Sequence, residues 1–234
     1  MLQNVLGLTI VIGFNGALET LVSQAYGNNN MALCGEYLNR GRILLVITFV
    51  PVLLILHQTE AILVGIGQDA KVAKHAQQYV LLFMPGLVLS GLNDSQRRFL
   101  NMLGLTTVPM ICQSVGQFIH VLLCYYLVWQ RDMGISGVGI AGSISNLVVY
   151  LCLLKYTSII PHIQEALSWP SASSFTGLGD YLRIGIPSAL MLCIEWWAFE
   201  VMTLVTGYIS VDAQASQVVI LNIIALMFMF SLGL

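Results

Sequence analysis

The sequence predicts an all-α, polytopic membrane helix bundle with about seven spans. Three observations carry this. Of the 234 residues, 57% are hydrophobic and only 9% are charged, whereas a soluble domain carries about 25% charged residues to cover its surface. The apolar residues fall into runs of about 20, the length that crosses a bilayer as a helix. Short polar segments rich in Gly, Asn or Arg separate the runs. Lipid is therefore the solvent for most of this surface. The formal net charge of −2 supplies no basic field for nucleic acid.

Taken in order, the predicted spans are Leu2–Ala25, Ile43–Val64, Gln77–Leu100, Val108–Trp129, Ile135–Thr157, Tyr181–Tyr208 and Ala213–Leu234. Pro51, Pro85 and Pro187 lie inside spans, which membrane helices tolerate. Basic residues mark the cytoplasmic loops. With the N-terminus outside, Arg40, Arg42, Arg97, Arg98, Lys155 and Arg183 fall inside, against Lys71, Lys74 and Arg131 outside. The C-terminus is then cytoplasmic. Residues 158–180 hold Pro161, Pro170 and a Ser-rich run; they read as a linker between two bundles, with an amphipathic piece on the membrane. The expected division is 1–157, 158–180 and 181–234. The N-terminus has no basic segment followed by a short apolar run and cleavage site, so no signal peptide is expected. Cys34, Cys112, Cys124, Cys152 and Cys193 lack paired spacing and read as small buried hydrophobes, not as a disulfide or zinc framework.

The polar residues inside spans are the functional candidates, because an ionisable group there is costly and marks an ion or substrate path by default. Glu195 lies near the middle of Tyr181–Tyr208, with Glu200 five residues on. That step turns about 140° around a helix, so the two do not share one face. A desolvated carboxyl exchanges protons nearer neutral pH. Pro187 has no N–H for Arg183 and can bend the span or merely kink it. Trp196 and Trp197 offer a wall for a flat cation or simple packing. Gln113, Gln117, His120 and Cys124 follow i, i+4, i+7, i+11 and form one stripe, which lines a path or bonds neighbouring helices. No partner with ligand spacing makes His120 a metal site. Gly137, Ala141 and Ser145 repeat every fourth residue and allow close helix approach. Arg97-Arg98 read as a topology anchor.

Four segments resemble one family. Gly16-Ala17-Leu18-Glu19-Thr20-Leu21 running to Gln24-Ala25-Tyr26-Gly27 is similar to the second-helix signature of multidrug and toxic compound extrusion (MATE) transporters. Thr59-Glu60-Ala61-Ile62-Leu63 with Gly67-Gln68-Asp69 resembles that family's loop between helices three and four. Gly134 to Ala141 resembles the start of helix six. Ile186-Pro187-Ser188-Ala189 through Cys193-Ile194-Glu195-Trp196-Trp197-Ala198-Phe199-Glu200 is similar to helix seven of the eukaryotic branch. Leu103 departs from the Gln often found there.

The resemblance implies a twelve-helix fold of two lobes, of which this chain would hold helices two to eight. The lobes are expected to split it into an incomplete N-terminal lobe (1–157) and the start of the second (181–234). It further implies a secondary antiporter exporting organic, cationic compounds against protons or sodium, with no cofactor and a monomeric full-length protein. Glu195, Glu200, Gln113, Gln117, His120 and Trp196 are the expected coupling or substrate residues. Glu19, Thr20, Gln24 and Pro187 are the expected lobe-contact or gating residues. A lipid-linked-saccharide flippase of the wider superfamily and a non-transporting remnant are the alternatives. The chain has no P-loop, HExxH or GxSxG motif, so neither an ATP-driven pump nor a membrane-embedded enzyme of those classes is indicated.

Overall fold

In the computed structural model, residue 7 and residues 9–166 and 172–233 are described. The helices are α1 (Thr9–Gly27), α2 (Met31–Leu56), α3 (Thr59–Gly65), α4 (Ala70–Met102), α5 (Thr107–Cys124), α6 (Gly134–Ile159), α7 (Ala172–Phe175), α8 (Leu178–Ile209) and α9 (Val211–Gly233). A π-helical stretch, Tyr125–Gln130, prolongs α5, and a 3₁₀ turn, Pro161–Ala166, follows α6. Seven long helices thus match the seven predicted spans among the described residues. Four stretches satisfy the length and apolarity of a membrane span unaided: Met31–Leu56, Thr107–Gln130, Gly134–Ile159 and Leu178–Gly207. Outward residues such as Val50, Leu54, Met110, Phe118 and Val121 are exposed. A water-facing protein rarely shows so much contiguous apolar surface.

Several boundaries differ from the predicted ones. The second span begins at Met31, not Ile43, because the Asn30 side chain accepts the Leu33 N–H at 3.0 Å and nucleates the helix there. Its early turns, interrupted by Glu36, Asn39, Arg40 and Arg42, escape a search for continuous apolar runs. It also ends at Leu56, eight residues early. There the Thr59 hydroxyl donates to the Leu56 carbonyl (2.6 Å). Gln77 of α4 then clamps the turn, donating to the His57 carbonyl (2.6 Å) and accepting from the Glu60 N–H (2.9 Å). α4 starts at Ala70, not Gln77, because Asp69 caps it by accepting from Lys71 and Val72 N–H. At its far end Gly104 adopts φ +76°, the left-handed turn that suits glycine.

Packing follows small residues. On α6, one face carries Gly139 and Gly142 against Leu82 and Phe83 of α4, where Ser143 donates to the Leu82 carbonyl (2.8 Å). The Gly137–Ala141–Ser145 face meets α5 and its π-helical extension instead: Gly137 lies on Leu127, and Ser145 bonds His120 (3.1 Å). α1 and α8 make the other close seam. A β-carbon on Gly13 would fall 2.3 Å from the Ala189 Cα, one on Gly16 3.5 Å from the Ser188 Cβ, and Gly185 abuts Phe14 and Ala17. The buried Tyr181 hydroxyl donates to the Phe14 carbonyl across the same seam (3.3 Å).

The core is thickest at the arginine-rich end, where Leu18, Val22, Leu38, Phe99, Leu100, Leu153 and Tyr181 join one cluster. Ile163 and Ala166 belong to it too. Part of the expected linker, Pro161–Ala166, is therefore docked against α2. Its Ser171 falls outside the described residues. Cys34, Cys112 and Cys193 are buried, Cys124 and Cys152 half-buried, and all five are free thiols.

Candidate functional site

A buried polar spine joins α1 to the last turns of α4. It exists because Asn15 and Glu19 stand one turn apart on α1, facing Asp94, Ser95 and Arg98 on α4, and residues four apart share a helix face. Asn15 donates to Asp94 Oδ2 (2.9 Å) and accepts from the Ser95 hydroxyl (2.8 Å). Arg98 donates through Nε to the same Asp94 oxygen (2.7 Å) and through Nη1 to Glu19 (2.7 Å). Arg97 donates to the other oxygen, Oδ1. Two carboxylates thus face two guanidiniums, and the spine is neutral. Charges removed from water persist when paired and hydrogen-bonded.

The amides extend this spine. Arg42 donates to Gln96, and Gln96 donates to the Thr157 hydroxyl at 3.1 Å. Asn93 donates both to the Asn146 backbone carbonyl (3.0 Å) and to its side-chain oxygen (3.3 Å). Its own carboxamide oxygen is buried and has no partner. Beside these groups lies a cavity of about 720 Å³ between α1, α4, α5 and α6. Val11, Ile12, Pro109 and Met110 form its apolar wall; Asn93, Asp94, Arg97, Asn101, Gln113 and Asn146 form its polar one. That volume lies in the range that holds drug-sized ligands.

Of the candidates chosen from sequence, Gln113 reaches this cavity. Gln117 is exposed on α5. His120 is half-buried, with Nδ1 on Ser145 and Nε2 3.6 Å from the Cys124 sulfur. Glu195, Trp196 and Glu200 stand apart on α8, outside the cavity wall. They follow the stretch of α8 that packs on α1, with Glu195 and Trp196 exposed and Glu200 half-buried. Among the described residues Glu195 makes no ion pair or hydrogen bond. Pro187 lies within an unbroken α8, next to the seam residues Ser188 and Ala189. Glu19 points to α4, the Thr20 hydroxyl bonds the Gly16 carbonyl of its own helix (3.3 Å), and Gln24 is exposed. Where α1 meets α8, the contacts come from Gly13, Phe14, Gly16 and Ala17.

The residues that sequence reasoning missed are Asn15, Asn93, Asp94 and Asn146. A signal existed for them: each interrupts an apolar run, and Asp94 precedes Arg97 and Arg98 at ion-pair spacing. Reading the two arginines only as an anchor concealed it.

The family model MatE matches residues 1–126, more than half of the chain. The chain belongs to the MatE family. Multidrug and toxin extrusion protein 1 of Xenopus tropicalis is 31% identical over 99% of this chain and 40% of its own length. Protein DETOXIFICATION 16 of Arabidopsis thaliana is 31% identical over 99% of this chain and 48% of its own length. This MatE chain therefore spans less than half the length of both relatives. The crystal structure of the eukaryotic MATE transporter AtDTX14 superposes with a TM-score of 0.84 at 31% identity, over 91% of this chain and 47% of that one. The helical bundle is thus that of a eukaryotic MATE protein, and the chain is an integral membrane protein.

Proposed function

We propose that this MatE chain carries the coupling helix of a secondary active antiporter that exports organic cations in exchange for protons or sodium. The observation that carries the reading is Glu195, a carboxylate without an ion pair or hydrogen bond among the described residues, at the middle of an apolar, membrane-length helix. A charge in such a place is expensive unless it is used. Its carboxyl can be neutralised by a proton, by sodium or by a cationic substrate, and at one site these fates exclude one another. Mutual exclusion is the minimum requirement for exchange. The flat face of Trp196 would hold the organic part of the same ligand, and Glu200, half-buried and turned about 140° away on α8, would add to affinity without sharing the Glu195 site. Gln117 and His120 on α5 are assigned the path side of the N-terminal helices, α1 to α6.

The α1–α8 seam supplies the moving part. Lobes that rock about a central site must close on one side at a time. The seam joins α1 to α8 towards the arginine-rich end, which the positive-inside bias makes cytoplasmic. Pro187 beside it lets the seam half of α8 and the Glu195 half reorient. Glu19 acts on this seam indirectly, by fixing α1 to α4 through Arg98, while Thr20 and Gln24 complete the cytoplasmic turn of α1. Relatives named for multidrug and toxin extrusion agree with export of varied organic compounds. The test grafts residues 1–234 into the matching region of the Xenopus tropicalis relative and reconstitutes the chimera in vesicles. Uptake of an organic cation driven by an imposed proton or sodium gradient is expected. Uptake that ignores both gradients contradicts the proposal.

A further inference from the structure

The first turn of α8 is seated in a socket of the N-terminal helices that coupling through Glu195 leaves unexplained. We infer that Tyr181 is a latch. Its phenol ring, lodged in a hole that Gly41 leaves in α2, holds the arginine-rich end of the α1–α8 seam shut and withdraws when the seam opens. For its place in a transport cycle the inference rests on the exporter reading above; for the latch itself it rests on geometry alone.

Three observations converge. First, Tyr181 is the largest fully buried side chain among the described residues, at 1% exposure, although Asp180 before it is exposed and Leu182 after it is half-buried. Every other buried member of its core cluster lies between Ala17 and Ala166. One ring therefore ties α8 into a core that the preceding helices otherwise build by themselves. Second, the socket is shaped for this ring. A β-carbon on Gly41 would fall 2.9 Å from the Tyr181 hydroxyl oxygen and 3.6 Å from Leu18 Cδ1. At its floor the hydroxyl donates to the Phe14 carbonyl (3.3 Å). The neighbouring α2 residue grips the entry to α8: a β-carbon on Gly177 would lie 3.1 Å from Arg40 Nη1, and Gly177 has φ +77°, a conformation that suits glycine. Third, the rest of the seam is built mostly of small residues. Gly13, Gly16 and Ala17 meet Gly185, Ser188 and Ala189, with Phe14 as the one large side chain lying on Gly185. Beyond it, Ile194 to Phe199 of α8 are exposed.

Small residues let two helices approach closely, but they set no knob deep in the opposite helix. Tyr181 supplies that knob. It is held by the shape of the hole and by one hydrogen bond, and no ion pair of its own must break for it to leave. A ring either fills such a hole or is out of it, because packed interfaces switch between discrete arrangements and do not deform continuously. Gly41 is the residue that makes the hole: any side chain there would occupy the space of the phenol oxygen. The pair Tyr181–Gly41 therefore sets how much of the time the arginine-rich end of the seam is closed.

The test is a distance measurement by double electron–electron resonance on the purified 234-residue chain in nanodiscs, with native cysteines replaced by alanine. Spin labels at Gly27→Cys on α1 and Gly179→Cys on α8 report on the seam; both glycines have open space around them. A second pair, Gly27→Cys with Gly65→Cys, which is equally open, reports on the N-terminal helices alone. In the parent the seam pair should show mainly one short distance. Tyr181→Phe, which loses the bond to Phe14, should lower the ratio of short to long distances by about two- to tenfold. Gly41→Ala keeps Tyr181, favours the helix and fills the hole, so it should lower the ratio by about fivefold or more. It carries the test where Tyr181→Ala disturbs the fold. The Gly27–Gly65 distance should stay at its parent value in both variants. A parent-like seam distance in Gly41→Ala overturns the inference. So does a Gly27–Gly65 distance that moves together with the seam distance, because Tyr181 would then be an ordinary core residue. No gradient or substrate enters this measurement, so a chimera that fails to exchange sinks the exporter reading and leaves the latch standing.

Discussion

Replacing Gly13 by alanine tests the close contact between α1 and α8. An added β-carbon would fall 2.3 Å from the Ala189 Cα and 2.8 Å from its Cβ. The first of these is backbone, so no rotamer change relieves the clash, and α8 must retreat by about 1 Å or more to reach ordinary contact. Overpacking of this kind costs about 1–3 kcal/mol. The greater helix propensity of alanine offsets none of this, because α1 is helical whether the seam is open or closed. A loss of 1–3 kcal/mol lowers the closed fraction by about 5–150-fold. Gly16→Cys with Ser188→Cys provides the readout. A β-carbon on Gly16 lies 3.5 Å from the Ser188 Cβ, at the short edge of the window for disulfide formation. The rate of oxidation, followed by mass spectrometry of the linked peptides, should be high in the pair and fall sharply when Gly13→Ala is added. Gly27→Ala, on the same helix but with open space around it, should leave the rate unchanged. A Gly13→Ala protein that cross-links as fast as its parent refutes the seam.

Two further outcomes are expected. Asp94→Asn leaves Arg97 and Arg98 with less than their neutralising charge and should cost about 3 kcal/mol, while Glu19→Gln, whose side chain is partly exposed, should cost at most about 1 kcal/mol; melting of the purified chain in detergent ranks them, and equal losses would remove Asp94 from the centre of the spine. Asp132→Cys, in the turn between α5 and α6, should react with an impermeant thiol reagent added outside cells, and Gly104→Cys, between α4 and α5, should not; the reverse pattern inverts the orientation.

The positions of the spans were legible because a bilayer demands long apolar runs, and α5, α6 and α8 begin within a few residues of their predicted starts. The start of α2 was not, because Glu36, Asn39, Arg40 and Arg42 break its early turns as an apolar run and its first residue is set by the Asn30 cap. Glu195 could be singled out from depth alone. Asp94 could not be ranked as a hub without knowing that α1 lies against α4. Nor could Gly13 be matched to Ala189, since nothing local in either helix specifies a partner about 170 residues away. The stripe on α5 was visible in its spacing, yet its members part company: Gln113 faces the cavity and His120 bonds α6. Helical periodicity groups side chains on a face; only packing says what each part of that face meets.

Charge-conserving and charge-removing substitutions at Glu195 separate coupling through its carboxylate from a structural role for the same side chain. The measurement is exchange of an organic cation against an imposed gradient by the chimera carrying residues 1–234, with the amount of reconstituted protein determined in the same vesicles. Glu195→Gln keeps shape and hydrogen bonding but removes the titrating charge. It should abolish gradient-driven exchange while the protein still inserts. Glu195→Asp retains the charge one methylene further back and should preserve part of the rate. If Glu195→Gln inserts normally and exchanges substrate against the gradient at the parent rate, coupling does not pass through Glu195.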